Sequence, residues 1–130
     1  MILEQLFQQK LMKAYTLAQQ QGFAVSISIV DASGLLRQFI RMEDAVAGSI
    51  DVSIKKARTA ALFGMNSLDF GQMAQPGGPI YSIESSNGGL ISFGGGVVIY
   101  HDDDHSLIGA IGVAGATLEA DQTIAAAAAA

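Results

Sequence analysis

The sequence predicts an α+β fold in which helices pack on a mostly antiparallel sheet. Two observations favour this class: apolar residues at helical spacing alternate with short strand-like runs, and short turns that suit antiparallel neighbours join those runs. The elements follow in the order helix, two strands, helix, glycine-rich loop, three strands, helix. The length of 130 residues fits a single domain over residues 1–130.

The chain begins with an amphipathic helix and a pair of strands. The apolar positions of the helix, three or four residues apart, are Leu3, Phe7, Leu11, Ala14 and Ala18. Gly22 ends this helix, and residues 25–29 then alternate between apolar residues and serine, which predicts a strand. Turn residues at Asp31–Gly34 lead into a second strand over Leu35–Arg41, so the two strands form a hairpin.

A second helix is predicted over residues 49–63. Its apolar stripe consists of Ile50, Ile54, Ala57 and Ala61. Gly64 suits the left-handed position at which helices end. Asp51 precedes Lys55 by four residues, the order that favours an exposed ion pair, and we expect Lys55, and with it Lys56, on a solvated face.

Glycine and proline dominate the middle of the chain. A short helical turn is predicted over residues 66–73, after which Pro76–Pro79 forms a loop because proline has no N–H and glycine permits positive φ. Ile80–Glu84 is expected to be extended before a second break at Asn87–Gly89.

The last part of the chain predicts further strands. Leu90–Phe93 and Val97–Tyr100 are interpreted either as one strand bent at the three intervening glycines or as two strands around a tight turn. The polar run His101–His105 then forms the connection into a strand over Leu107–Val113, ahead of a final helix.

The composition excludes several functions. Seven Lys and Arg against 12 Asp and Glu give a net charge of −5, so the chain lacks the basic surface that nucleic acids require. The absence of cysteine excludes disulfides, thiolate metal sites and a thiol nucleophile. Neither a secretion signal nor a membrane span is visible, so we expect a cytoplasmic protein with no membrane partner.

Neutral residues are concentrated in one region. Charged residues make up 15% of the chain, against about 25% in typical domains. Twelve of the 15 glycines lie between Gly64 and Gly115, and from Gly64 to Tyr100 the only charged residues are Asp69 and Glu84. Such a neutral surface indicates a subunit interface or a ligand pocket.

Candidate ligand-binding residues lie in and beside this neutral region. Arg58 is next to the stripe of the second helix, so it either forms a buried pair with Glu84 or binds a carboxylate, such as a haem propionate. Gly77–Gly78 and Gly88–Gly89 either offer backbone N–H groups to an anion or serve only as turns. The polar side chains beside these glycines are Tyr81 and Asn87.

His101 and His105 are the only histidines, and they flank three aspartates. On a helix this spacing would bring both imidazoles to one metal ion. A charged connection of this length is usually solvated, so no metal site is predicted and the two histidines stay weak candidates. Met65 and Met73 are alternative iron ligands, although methionine more often fills a core.

Eight motifs, taken together and in this order, resemble those of one known family. They are Ser28-Ile29-Val30-Asp31, Gly34, Arg41-Met42, Ser49-Ile50-Asp51, Lys56-Ala57-Arg58-Thr59-Ala60, Gln75-Pro76-Gly77-Gly78-Pro79, Ser86-Asn87-Gly88-Gly89 and Gly109-Ala110-Ile111-Gly112-Val113. The chain resembles the GlcG/HbpS family (DUF336), which includes haem-binding and haem-degrading-like domains. The resemblance implies a profilin-like or roadblock-like α/β/α sandwich with a five-stranded, mostly antiparallel sheet, and a homo-oligomer built from dimers.

The resemblance also bears on the site. Some family members bind haem, so it implies haem as a candidate cofactor. The family motifs cover Arg58, Pro76–Pro79, Glu84 and Asn87–Gly89, which overlap the candidates identified from their chemistry. A haem ligand from the N-terminal half, as in some members, has no counterpart here because no histidine precedes His101.

Three functional hypotheses follow. The favoured one is an oligomeric accessory protein, not an enzyme, that binds haem or another small carboxylate-bearing molecule. The second is an enzyme that acts on small hydroxy acids or diols or degrades haem; it ranks lower because no general base with a positioned nucleophile is evident. The third is a structural accessory subunit whose neutral surface is the oligomer interface.

Overall fold

The computed structural model describes residues 1–130 and confirms the α+β class. Its elements are α1 (Leu3–Gln20), β1 (Ser26–Asp31), β2 (Leu36–Arg41), α2 (Ser49–Phe63), α3 (Ser67–Met73), a 3₁₀ turn (Ile83–Ser85), β3 (Gly96–Tyr100), β4 (Leu107–Ala114) and α4 (Leu118–Ala129). The strands form one antiparallel sheet in the order β2-β1-β4-β3. None of the helices combines the length and apolar character needed to cross a lipid bilayer.

Helices cover both faces of the sheet. On one face, Phe7 of α1, Ile27 of β1 and Ile124 of α4 belong to the largest apolar cluster, and all three are fully buried. On the other face, Ala57 of α2 packs with Val30 of β1 in a smaller cluster. The alternation of residues 25–30 between the two faces accounts for the burial of almost the whole first strand.

The helix α2 lies close to the sheet because both surfaces carry small side chains. A Cβ atom built at Gly112 of β4 would collide with the carbonyl oxygen of Ser53. The hydroxyl groups of Ser28 and Ser53 form a 2.6 Å hydrogen bond between strand and helix. Glycine at position 112 is therefore required by the approach of the helix backbone.

The predicted stripe of α2 is confirmed in part. Ala57 and Ala61 are buried against the sheet, whereas Ile50 and Ile54 are only partly buried. A branched side chain facing the sheet would hold the helix away from it, so small residues occupy that face instead. The end of the helix is confirmed, because Gly64 adopts a φ of 65° and donates its N–H to the carbonyl of Ala60.

The expected fifth strand is wrong, because the sheet has four strands and residues 90–93 are not among them. The outer edge of β3 pairs with side chains instead of with another strand. The N–H of Gly96 donates to Ser67 Oγ at 2.9 Å, and that of Val98 donates to Asn66 Oδ1 at 3.1 Å. Because these two acceptors satisfy the edge, Leu90–Phe93 crosses α3 and α2 as an irregular segment.

The expected extended segment at Ile80–Glu84 is also wrong. These residues form turns that continue into the 3₁₀ turn at Ile83. Ile80 and Ile83 both pack against the small cluster that contains Phe70. Residues three positions apart face the same side in a turn but opposite sides in a strand, so burying both isoleucines favours the turn.

Candidate functional site

Arg58 connects α2 to the loop that carries most of the predicted ligand-binding residues. Its Nη2 donates a 2.8 Å hydrogen bond to the carbonyl of Asn87, and its Nη1 lies 3.4 Å from the carbonyl of Gly89. The residue is half-buried, and its remaining N–H groups have no partner within the chain. The guanidinium is therefore held in one orientation while part of it stays accessible.

The predicted buried pair between Arg58 and Glu84 is wrong. Glu84 is exposed, and its Oε2 accepts a 2.6 Å hydrogen bond from Ser92 Oγ instead. The loop presents backbone carbonyls to Arg58 and directs the Glu84 side chain toward Ser92, so the two charges do not meet within 4 Å. Glu84 and Arg58 therefore make no direct contact; Arg58 binds backbone carbonyls of the loop that carries Glu84.

The remaining predicted residues form an exposed surface rather than a pocket. Pro76, Gly77, Tyr81, Asn87 and Gly88 are all exposed, and none of the four main surface cavities is lined by them. We call Arg58 together with residues 76–89 the loop surface. The contacts join Arg58 only to residues 87 and 89, and no hydrogen bond or ion pair links it to residues 76–81.

The glycines of the loop surface divide into two groups. The N–H groups of Gly78 and Gly89 donate to the carbonyls of Gln75 and Ser86 within their own turns. Those of Gly77 and Gly88 have no partner in the chain, and both residues adopt positive φ, at 86° and 72°. Positive φ explains Gly77, Gly88 and Gly89, and a Cβ atom at Gly78 would collide with the carbonyl oxygen of Met73. Gly77 and Gly88 also present a free N–H.

The two lysines of α2 have different surroundings. Lys55 forms the predicted pair with Asp51, at 2.9 Å between Nζ and Oδ2. The expectation of a solvated Lys56 is wrong, because only 1% of this residue is exposed. Its Nζ donates to Asp121 Oδ2 at 3.1 Å and to the carbonyl of Val113 at 2.9 Å.

The buried pair of Lys56 and Asp121 joins α2 to α4 across the end of the sheet. Asp121 is 2% exposed, and its second oxygen accepts a hydrogen bond from the N–H of Ala116. Burial lowers the pKa of Lys56 below its usual value, and the carboxylate of Asp121 opposes that shift. Every polar atom of the pair is hydrogen-bonded, as buried charges require.

The glycine run before β3 makes room for this pair. A Cβ atom at Gly95 would lie 2.6 Å from both Lys56 Nζ and the carbonyl oxygen of Val113, and the residue has a φ of 121°. The ring of Phe93 covers the ammonium group, with 5.2 Å between Nζ and the ring centroid. Sequence reasoning missed the pair; the available signal was a glycine run together with an acidic residue in the first turn of α4.

A cavity of about 370 Å³ opens beside β3, and we call it the edge cavity. Its residues come from β3, the β3–β4 connection, the start of α3 and the end of α4: Asn66, Val97, Val98, Tyr100, His101, Asp102, His105, Ala126, Ala129 and Ala130. Both histidines of the chain therefore line one apolar-walled cavity. The ring of His105 stacks on that of Tyr100, with centroids 4.6 Å apart.

The polar connection at the mouth of the edge cavity is organised by its own hydrogen bonds. His101 Nδ1 accepts the N–H of Asp103 at 3.1 Å and lies 3.7 Å from Asp104 Oδ1. Hydrogen bonds from Ser106 to its carboxylate lower the pKa of Asp104. No group of three or more His, Cys, Asp or Glu side chains converges on a point where a bare metal ion would be held.

Comparison with protein families and curated proteins gives consistent matches. A family model described as "Haem degrading protein HbpS-like" matches residues 4–130. The chain is 38% identical over 109 residues to the corrinoid adenosyltransferase PduO of Salmonella typhimurium, a match that covers 83% of this chain but 32% of the relative. The chain thus spans about a third of the length of that relative.

Solved structures show the same fold. A Klebsiella pneumoniae protein, ORFY, of the DUF336 family superposes with a TM-score of 0.91 at 32% identity, over 98% of this chain and 87% of that one. A PduOC–haem complex superposes with a TM-score of 0.90 at 35% identity, over 95% of this chain and 89% of that one. One relative of closely similar fold has therefore been crystallised with haem.

Proposed function

Because the chain belongs to the HbpS-like family, we propose that it binds haem as a non-catalytic accessory protein. The observation that carries the proposal is the fold shared with a haem complex at 35% identity over 95% of this chain. The edge cavity supports it, because haem needs an apolar slot and at least one nitrogen, sulfur or oxygen ligand from the protein. Among the four main cavities, this one alone is lined by histidine.

The residues of the edge cavity fit such a ligand. Val97, Ala126 and Ala129 supply apolar walls, while Tyr100, His101 and His105 supply iron-binding atom types. The volume of about 370 Å³ lies within the usual range of ligand pockets, about 300 to 1,000 Å³. Bound haem would supply redox-active iron; the chain itself would orient the ligand and exclude water from one face.

A haemin titration tests the proposal. We expect a saturable shift of the Soret band at one equivalent of haemin per chain, together with a higher melting temperature at excess ligand. Serum albumin, added as a competitor at equal concentration, distinguishes a specific site from loose adsorption. Absence of a saturable shift, with an unchanged melting temperature, would rule out haem as the ligand.

The loop surface supports a second candidate function, the binding of a small carboxylate. The specific observation is the orientation of Arg58, whose guanidinium is fixed by the two loop carbonyls while its other N–H groups remain accessible. The free N–H groups of Gly77 and Gly88 lie in the same loop, with Pro76, Gly78, Tyr81, Glu84, Asn87 and Gly89 as the other proposed contacts.

Titration with glycolate, followed by amide chemical shifts, tests this second function. We expect shifts centred on residues 87–89 and their loss in Arg58→Gln, which removes the charge. Arg58→Lys is the matched control, because it keeps the charge but cannot form the planar fork and should bind more weakly. Shifts at residues 87–89 that persist in Arg58→Gln would show that Arg58 does not bind the carboxylate, and shifts centred elsewhere in the wild type would exclude the loop surface as the site.

We further propose that residues 1–130 form one domain and that the chain assembles as a homo-oligomer built from dimers. Large apolar side chains remain exposed in the isolated chain, among them Leu35 at 65%, Val46 at 64% and Leu118 at 57%. Light scattering should give a mass that is a multiple of two chains and that survives dilution. A monodisperse monomer of 13.5 kDa would contradict the assembly.

A further inference from the structure

The two histidines of the edge cavity differ in which ring nitrogen is available. His101 Nδ1 accepts the backbone N–H of Asp103 at 3.1 Å, so this nitrogen is unprotonated and the ring proton sits on Nε2. A nitrogen that carries a proton cannot bind iron. His101 would have to give up its hydrogen bond in the turn before Nε2 became a ligand.

The imidazole ring of His105 takes no part in the hydrogen bonds of the turn. Its backbone N–H donates to the carbonyl of His101 at 2.9 Å, but neither of its ring nitrogens has a hydrogen-bond partner within the chain. The ring is nevertheless oriented, because it stacks on Tyr100 with an interplanar angle of 16°. One imidazole of the edge cavity is therefore used to build the turn, and the other is fixed but free to bind.

The backbone at His105 suits the turn. The residue has a φ of 58°, in the left-handed region where asparagine, aspartate and histidine are the enriched residue types besides glycine. Its ring stacks on Tyr100, and both residues line the edge cavity.

We propose that His105 is the iron ligand of the edge cavity, with its imidazole held in place by Tyr100. The inference rests on the proposed haem binding. It names as the iron-binding residue a histidine that lies outside the family motifs. Iron in haem is already held by the porphyrin, so a single protein imidazole suffices where no three-residue cluster exists for a bare ion.

The decisive variant is His105→Gly, because glycine suits the left-handed backbone and should preserve the turn. We expect haemin affinity to fall on the order of tenfold or more, with a changed Soret position. Free imidazole added to this variant should restore the Soret position of the wild type, because it can occupy the vacated volume. Circular dichroism of the variant checks that the fold is retained.

Three further variants make the test specific. His101→Asn keeps an acceptor for the turn and should retain the imidazole-bound Soret position, and Tyr100→Phe should do the same because it keeps the stack but removes the phenol. Lys55→Ala, remote from the cavity, should keep the full affinity. Loss of the imidazole signature in His101→Asn or in Tyr100→Phe, and not in His105→Gly, would overturn the assignment.

The outcomes also separate the two proposals. Haemin that binds the wild type and His105→Gly with equal affinity and the same spectrum would overturn the role of His105 and leave haem binding intact. Failure of the wild type to bind haemin would overturn both. Imidazole rescue confined to His105→Gly supports the assignment, because a merely structural histidine would show no rescue of the spectrum.

Discussion

Lys56 and Arg58 stand two positions apart on α2, and the protein uses them in opposite ways. Lys56 is 1% exposed and bonded to a carboxylate and a carbonyl, whereas Arg58 is half-buried and bonded to two loop carbonyls. Two positions on a helix turn the side chain by about 200°, so one residue faces the end of the sheet and the other faces the loop. Position on the helix, more than charge, therefore decides which cation holds the core together.

The largest expected effect is that of Asp121→Ala. This change leaves the Lys56 ammonium buried without its carboxylate, and we expect the free energy of unfolding to fall by about 3–5 kcal/mol in urea denaturation. Glu119→Ala, in the same first turn but exposed, is the control and should change stability by less than about 0.5 kcal/mol. Equal effects of the two changes would remove the distinction between a buried, paired carboxylate and an exposed, unpaired one.

A smaller effect is expected from alkaline pH. Burial lowers the pKa of Lys56 in the folded chain, while the unfolded chain keeps the ordinary value of 10.5. Between these two values the unfolded state binds more protons, so stability should rise with pH in the wild type relative to Lys56→Met. Urea denaturation of both proteins from neutral pH to about 10.5 measures the difference. Parallel curves would contradict the lowered pKa.

Arg58→Ala should cost less than the buried pair. It removes the hydrogen bonds to the carbonyls of Asn87 and Gly89, which remain accessible to water, so we expect a loss of about 1 kcal/mol. The effect should be local, with faster hydrogen exchange over residues 84–92 and little change in α2. Faster hydrogen exchange across the whole sheet would instead show that Arg58, like Lys56, stabilises the entire fold.

The smallest effect should be that of Lys55→Ala. The Asp51–Lys55 pair lies on the outer surface of α2, where water and salt screen it, so we expect at most about 0.5 kcal/mol. Repeating the measurement in 1 M salt, where the Debye length is about 3 Å, should abolish the difference from the wild type. A loss of stability as large as that of Arg58→Ala would show that the contributions of Lys56, Arg58 and Lys55 to stability do not follow their burial.

Local signals made much of the fold predictable. The bounds of α2 and its end at Gly64 follow from spacing and from one left-handed glycine, and the β1–β2 hairpin follows from alternation and a turn. The false fifth strand has a non-local cause. Side chains of Asn66 and Ser67, about 30 residues before β3, satisfy its edge, and periodicity gives no sign of such pairing.

The candidate site could also be predicted only where its signals are local in the sequence. The sequence identified Arg58 and the two glycine-rich turns, which the structure joins only at residues 87 and 89. The pairing of Lys56 with Asp121 was not predicted, because the two residues are 65 positions apart and each resembles an ordinary surface charge in the sequence. The histidines were recognised as a pair, but the cavity beside them depends on alanines of α4, which have no chemical signature of their own.

The blocked edge of β3 limits how copies of this chain can meet. A sheet with two open edges can add strands from both sides and grow into a fibre, whereas here Asn66 and Ser67 occupy the donors of one edge. Only the outer edge of β2 remains for strand addition. A strand from another copy can therefore add at the β3 edge only by displacing these two side chains, which opposes open-ended growth of the sheet.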